Sequence, residues 1–236
     1  MKIFQYIFSI ILWSIFWLTA FVSIVLALLI SLILPRKFWN GMVRGVCRLL
    51  STIVLLFPKV TSVPENVPFP CVYVANHVSF FDLVLCGCTL PGYPRGMELK
   101  SHFTKPIYGW FVSRFGELPI DKGSPSKLRR SFMQAADILK RGERSILIMP
   151  EGTRTRTGEL GRFGGGAFFL ARTANVPIVP VIFDNLFDHN NAKSLIIKPG
   201  RVRMRMLDPI EPSAFDSEQA LGEFTRETMM KAINNS

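Results

Sequence analysis

Apolar residues are spread unevenly along this chain, and their spacing changes character from one stretch to the next. Residues 3–34 contain no Asp, Glu, Lys, Arg or His. As one helix they would run about 48 Å at ~1.5 Å per residue, more than a hydrocarbon core of ~30 Å requires. No soluble core needs 32 residues that are apolar on every side, so a membrane-embedded helical segment is expected. The excess length fits a tilted span or a re-entrant pair equally well. A cleavable signal peptide would have a shorter apolar region followed by a small-residue cleavage site. Residues 37–57 differ: Arg44 and Arg48 stand one turn apart among Phe38, Trp39, Val43, Val46, Leu50 and Ile53. That pattern predicts an amphipathic helix on the membrane surface, with a second packed helix of the domain as the alternative.

Residues 58–70 are punctuated by prolines and read as a connector. Beyond them, short β-rich apolar runs alternate with helical periodicity. Strands are expected at 71–75, 117–120, 145–149 and 178–183, and 201–206 alternates as an edge strand would. Helices are expected at 81–89, from Ser124-Pro125 to Gly142, at 167–174, and from Ser213 onward. Ser124 is an N-cap with proline at the first helical position, and Gly142 is a stop. The expected fold is α/β, a largely parallel or mixed sheet flanked by helices. The division is 1–57 anchoring helices, 58–70 connector and 71–236 α/β domain. A chain of 236 residues accommodates one membrane segment and one domain of usual size.

Charge supports that division. Residues 1–64 hold six of the 28 Lys and Arg and none of the 17 acids, and the chain carries +11 overall. Anionic headgroups attract such a collar. The basic residues beyond the apolar stretch favour a cytoplasmic C-terminal domain, as at a bacterial inner membrane. No basic-aromatic pattern of RNA-binding type is present, so nucleic acid is not an expected partner. Cys47, Cys71, Cys86 and Cys88 sit in apolar contexts without metal-site spacing and read as buried free thiols.

Two segments carry candidate chemistry, and each directly follows an expected strand. In parallel sheets, ligands bind beyond the carboxyl ends of strands, so both can share one rim. The first is Asn76-His77-Val78-Ser79-Phe80-Phe81-Asp82. A histidine oriented by a carboxylate can take a proton from a hydroxyl near neutral pH. On one helix their five-residue offset would set them about 140° apart. They meet only if His77 lies in the turn before the helix and Asp82 in its first turns. The same residues also form a Ser-x-x-Asp capping pattern. No Ser or Cys sits in a nucleophile elbow, which favours direct attack by a substrate hydroxyl.

The second segment is Pro150-Glu151-Gly152-Thr153-Arg154. Gly152 permits close backbone approach, and Arg154 presents a fork suited to phosphate. Glu151 can orient Arg154 or accept from a polyol, unless the whole is an ordinary turn with a surface ion pair. Arg156 and Arg162 add positive charge to the loop. Lys100 and Lys122 can reach a phosphate or simply be solvated. In 176–181, Pro177 and Pro180 interrupt regular pairing, as at an edge strand or a lipid-facing wall.

Four segments in this order resemble the blocks of the glycerolipid (lysophospholipid) acyltransferase family, typified by 1-acylglycerol-3-phosphate acyltransferases. They are 76–82, 116–122, 150–154 and 176–180, and the resemblance spans about residues 70–210. It implies a membrane-bound acyltransferase with His77 as general base and Asp82 as its orienter. Glu151, Gly152, Thr153, Arg154, Lys122 and Lys100 are then the substrate-binding residues. The implied partners are a phospholipid membrane, a lysophospholipid acceptor, most directly lysophosphatidic acid, and an acyl-CoA or acyl carrier protein donor. No metal or other cofactor is implied. A lyso-aminolipid or another lysophospholipid is the alternative acceptor, and a non-catalytic lipid-binding protein the alternative role. Two departures bear on the headgroup. Lys122 replaces the usual arginine, and Phe163-Gly164-Gly165-Gly166 lacks the lysine many members carry.

Overall fold

The computed structural model describes residues 2–235, so the outermost residue at each end of the expected division lies outside it. A single helix, α1 (Lys2–Ile30), opens the fold. A one-turn 3-10 helix at Arg36–Phe38 leads into α2 (Trp39–Ile53). The α/β body then runs β1 (Leu56–Ser62), β2 (Val72–Ala75), α3 (Asp82–Thr89), β3 (Arg95–Leu99), α4 (Tyr108–Phe115) and β4 (Leu118–Ile120). It continues α5 (Pro125–Lys140), β5 (Ile146–Ile148), α6 (Gly166–Ala174), β6 (Ile178–Phe183), α7 (Leu186–His189), β7 (Gly200–Met206) and α8 (Glu218–Asn234).

Seven strands form one sheet in the order β1-β7-β6-β2-β5-β3-β4. Every neighbouring pair is parallel except β6 with β7. Tyr73, Ala75, Val179 and Val181 face one buried cluster with α1, α2 and α3, while Val72, Val74, Ile178 and Ile182 face another with α5, α6 and α8. Burial on both faces is why these strands read as unbroken apolar runs. The mixed α/β expectation holds.

Three local expectations change. Strand β1 occupies the first part of the expected connector: its register pairs Pro58 with Val202 and Lys59 with Arg203. It lies outside β7, so β7 is not an edge. Nor is β6, which lies between β7 and β2 with all six residues buried. Pro180 stands opposite Val74, and its carbonyl accepts from the Leu207 N–H at 2.9 Å. Its missing N–H therefore points toward β7, at the place where that chain leaves the ladder, so only the last bond of that pairing is absent.

Helix α1 is continuous, not a re-entrant pair, and is long and apolar enough to cross a membrane. Its buried stripe is small and partly polar: Ser9, Leu12, Phe16, Ala20, Ser23 and Ala27 recur every three or four residues. Its exposed side carries Ile7, Ile10, Leu18, Phe21, Val22 and Leu26, the reverse of a water-soluble helix. It lies lengthwise on the domain. The Ile197 N–H donates to Ser9 Oγ at 3.0 Å, and Trp13 Nε1 donates to the Leu195 carbonyl at 2.8 Å. At the other end Arg114 donates to Ser31 Oγ and its carbonyl at 2.6 and 2.8 Å.

Helix α2 packs against α1, α3 and β1 with Val43 and Leu50 buried. Arg44 does not join a headgroup collar. It turns inward and donates to the carbonyls of Cys88 and Leu90 at 2.9 and 2.6 Å, capping the end of α3. Arg48 is exposed.

Candidate active site

The C-terminal ends of β6, β2, β5, β3 and β4 share one rim, because these strands are mutually parallel. Asn76, at the end of β2, is buried. Its side-chain amide accepts from the Phe183 N–H at 2.8 Å and donates to the Phe183 carbonyl at 3.1 Å, so it extends the β2–β6 pairing by one position. His77 follows in the turn and Asp82 begins α3, the one arrangement in which the pair can meet.

His77 Nδ1 lies 2.6 Å from Asp82 Oδ2. The same oxygen accepts from the Val78 N–H at 2.9 Å, and Ser79 N–H reaches both carboxylate oxygens at 3.1 Å. Asp82 therefore caps the turn and holds the histidine at once; the capping and catalytic-pair readings describe one geometry. Burial pushes the Asp82 carboxyl up, while the His77 bond and the two backbone N–H groups pull it back. Backbone N–H groups can only donate, so the ionised carboxylate is the form that satisfies them. An acceptor on Nδ1 makes that nitrogen the donor and leaves the lone pair on Nε2. Nε2 makes no hydrogen bond among the described residues, and the side chain is 23 % exposed against 0 % for Asp82.

The loop after β5 clasps the His77 backbone from both sides. The His77 N–H donates to Glu151 Oε1 at 2.8 Å, and the Thr155 N–H donates to the His77 carbonyl at 2.8 Å. Glu151 Oε2 accepts from the Gly161 N–H at 2.9 Å. Burial pushes the Glu151 carboxyl up, and these two N–H groups oppose it. Glu151 thus does not orient Arg154: it joins the two motifs. Gly152 turns the chain at φ +69°, a left-handed value that suits glycine.

Arg154 is exposed and makes no hydrogen bond or ion pair among the described residues. With Thr153, Arg156 and Arg162 it lines an open groove of about 690 Å³. Lys100 and Lys122 follow β3 and β4, two and three strands beyond β2, about 10 and 14 Å away at ~4.8 Å per strand. Neither lines this groove. The Lys100 ammonium is 3.0 Å from Asp121 Oδ2, and with the Gly123 N–H, the larger cause, it holds the Asp121 carboxyl below its ordinary value. Lys122 is exposed.

The cysteines are unpaired. Burial pushes Cys71 and Cys88 up to about 11 and Cys47 up to about 12. They are protonated thiols, not nucleophiles. Among the described residues no three His, Cys, Asp or Glu side chains gather as metal ligands.

Behind this rim, Glu117 is pushed up to about 8, by burial first and then by Glu98. Its ordinary value is 4.5. The native state thus holds a proton that the unfolded chain releases, and stability falls as pH rises from about 4.5 to about 8. Thermal midpoints measured across that window should decline for the native chain, with a shallower slope for Glu117→Gln. An equal slope would contradict the assignment.

Sequence reasoning missed several residues that build the site. Ser79 Oγ donates to the buried Asn190 at 2.8 Å, tying the loop to the segment after α7. Phe80 and Phe81 pack on α1, with Trp13 centroids 5.3 and 5.0 Å away. No periodicity links positions so far apart in the chain.

Fold and site together define an α/β domain that places a buried carboxylate, a partly exposed histidine and an exposed guanidinium on one rim. A family model described as Acyltransferase matches residues 59–184, and the chain belongs to that family. It is 31 % identical over 149 residues to a chloroplastic 1-acyl-sn-glycerol-3-phosphate acyltransferase of Brassica napus, covering 57 % of this chain and 43 % of that one. It is 28 % identical over 167 residues to the enzyme of that name from Saccharomyces cerevisiae (70 % and 55 %). For the one from Escherichia coli the figures are 31 % over 148 residues (63 % and 60 %). The matched region spans less than half the length of the plant relative. The crystal structure of the 1-acyl-sn-glycerophosphate acyltransferase PlsC from Thermotoga maritima superposes with a TM-score of 0.85 at 21 % identity, over 98 % of this chain and 97 % of that one. That likeness establishes the fold.

Proposed function

We propose that this chain moves a fatty acyl group from an acyl thioester, acyl-CoA or acyl carrier protein, to the free hydroxyl of lysophosphatidic acid, giving phosphatidic acid. The observation that carries this reading is the His77–Asp82 contact at 2.6 Å, with Nε2 left open on the rim that also bears Arg154. Nε2 takes the hydroxyl proton as the oxygen attacks the thioester carbonyl. The tetrahedral intermediate then expels the thiolate, which takes the proton back from the imidazolium. Asp82 orients the ring and balances its transient charge. Arg154 receives the phosphate, and Thr153 and Gly152 shape its surroundings. Glu151 keeps His77 in place. Lys100 and Lys122 contribute positive potential from farther along the rim.

Helices α1 and α2 are the anchor in this reading, and the acyltransferase domain runs from β1 to α8. The unpaired apolar side of α1 supports insertion into a phospholipid membrane, and the Lys/Arg excess favours the cytoplasmic face of a bacterial inner membrane. A second acceptor, another lysophospholipid or a lyso-aminolipid, is favoured by one observation: Lys122 stands where an arginine is usual, with no lysine in 163–166. A panel of lysolipids with one labelled acyl donor decides between them. Lysophosphatidic acid should be preferred, and Arg154→Ala should raise its KM about 10- to 100-fold, the scale of a lost charged hydrogen-bond pair. Equal turnover across headgroups in both proteins would sink the assignment.

A further inference from the structure

The groove beside Arg154 does not end there. A second cavity of about 550 Å³ adjoins it, and Arg154 and Ala192 line both. The chemistry of the walls changes across that junction. On the first side the groove carries three arginines, 154, 156 and 162, against two carboxylates, Glu151, which is bound to backbone N–H groups, and Glu159. On the second, Ile10, Trp13 and Trp17 of α1, with Phe80 and Leu195, form an apolar wall, faced by the polar 190–194 segment that carries Lys193. The apolar wall of this cavity is therefore the helix expected to be an anchor.

The junction is built, not incidental. The Trp13 Nε1 donates to the Leu195 carbonyl at 2.8 Å, which fixes α1 against the 191–195 segment. Trp17 and Phe80 rings lie 5.4 Å apart, and Phe80 is three residues from His77. Ile10 and Trp17 are also half or more exposed on the outward side of α1. The cavity is thus continuous with the apolar surface that a bilayer would cover.

A ligand matching both sides is anionic at one end and a single hydrocarbon chain at the other. Resting on the acceptor reading above, we propose that the α1 cavity seats the acyl chain of the lysophospholipid acceptor. Its phosphate lies at Arg154, and the lipid enters by sliding along Ile10 and Trp17 from the bilayer. Trp13 and Trp17 then select for a long chain. Helix α1 serves as a wall of the binding site as well as an anchor.

The test uses the full chain in phosphatidylcholine vesicles and a lysophosphatidic acid bearing a diazirine in mid-chain. Photolabelled peptides should map to residues 10–17 and 191–195. Labelling should saturate, be competed by unlabelled lysophosphatidic acid, and be lost in Arg154→Ala. A diazirine monoacylglycerol, lacking the phosphate, should label the outer side of α1 broadly and without saturation. Trp17→Ala, a change at an exposed position, should raise KM about tenfold for an oleoyl acceptor and leave a hexanoyl acceptor unaffected. Unsaturable labelling, labelling unchanged in Arg154→Ala, or equal KM shifts for both chain lengths would overturn the assignment. Saturable labelling at these positions without any acyl transfer would uphold the cavity and reject the catalytic reading. Transfer with unsaturable labelling would do the opposite.

Discussion

His77→Ala is expected to reduce acyl transfer by about 10²–10⁴-fold, the range that a positioned general base contributes, while the protein accumulates and melts nearly as the native chain does. The reason is local. The backbone of His77, not its ring, holds the site together, through the Glu151 and Thr155 bonds. Alanine keeps both. Among the described residues the ring makes one hydrogen bond, to Asp82, and that carboxylate retains its two backbone donors. Removing the imidazole thus removes the proposed base and little of the scaffold. Thiol release from the acyl donor measures the activity, and a thermal melt measures the fold. Near-normal turnover in His77→Ala would reject the mechanism.

Replacing Asp82 should separate charge from geometry. In Asp82→Asn the amide oxygen takes the place of Oδ2, where it keeps the Val78 and Ser79 N–H groups at 2.9 and 3.1 Å, whereas an NH2 group there would oppose both. The oxygen then still accepts from His77, so ring orientation and tautomer persist while the negative charge is gone. In a fully buried position that charge is weakly screened, and the imidazolium formed during proton transfer loses its counter-charge. Turnover should fall at least about 100-fold with KM little changed. Asp82→Ala should show the same loss and also destabilise the chain by about 2–5 kcal/mol, because the Val78 and Ser79 N–H groups are left buried without an acceptor. A denaturation series compares the two. Equal stability of Asn and Ala variants would contradict the dual role assigned to this carboxylate.

Much of the sheet was legible because its central strands are buried on both faces. The apolar runs at 71–75, 145–149 and 178–183 all form strands. What failed had a different physical cause in each place. Strand β1 carries Pro58, Thr61 and Ser62 and shows one face to solvent, so it resembled a connector. Strand β7 alternates because one of its faces is exposed, which an edge strand also does; the partner that covers its side is β1. Helix α4 has only eight residues, between Pro106 and Gly116, too short for a periodic signal. In α1, apolar residues surround the axis, so the sequence hid that Ser9, Ala20, Ser23 and Ala27 form the inward side.

Within the site, the His77–Asp82 offset was readable because only one arrangement lets the two meet. The link between that motif and the 150–154 segment was readable only as a shared rim. That Glu151 joins the two through the His77 N–H is a tertiary fact with no local trace. So are the contacts of Asn190 with Ser79 and of Trp13 with the 191–195 segment.

The central claim is that the acceptor hydroxyl attacks the thioester directly, with His77 Nε2 as its base and no acyl-enzyme between. Rapid-quench mixing of the membrane-reconstituted chain with an acyl thioester tests this most directly, with thiol and acylated lipid counted in the same samples. Without acceptor there should be no burst of thiol and no acyl group on the protein. With lysophosphatidic acid, one thiol should appear for each phosphatidic acid formed, at a rate that collapses in His77→Ala. A stoichiometric thiol burst before any acceptor is added would contradict the account.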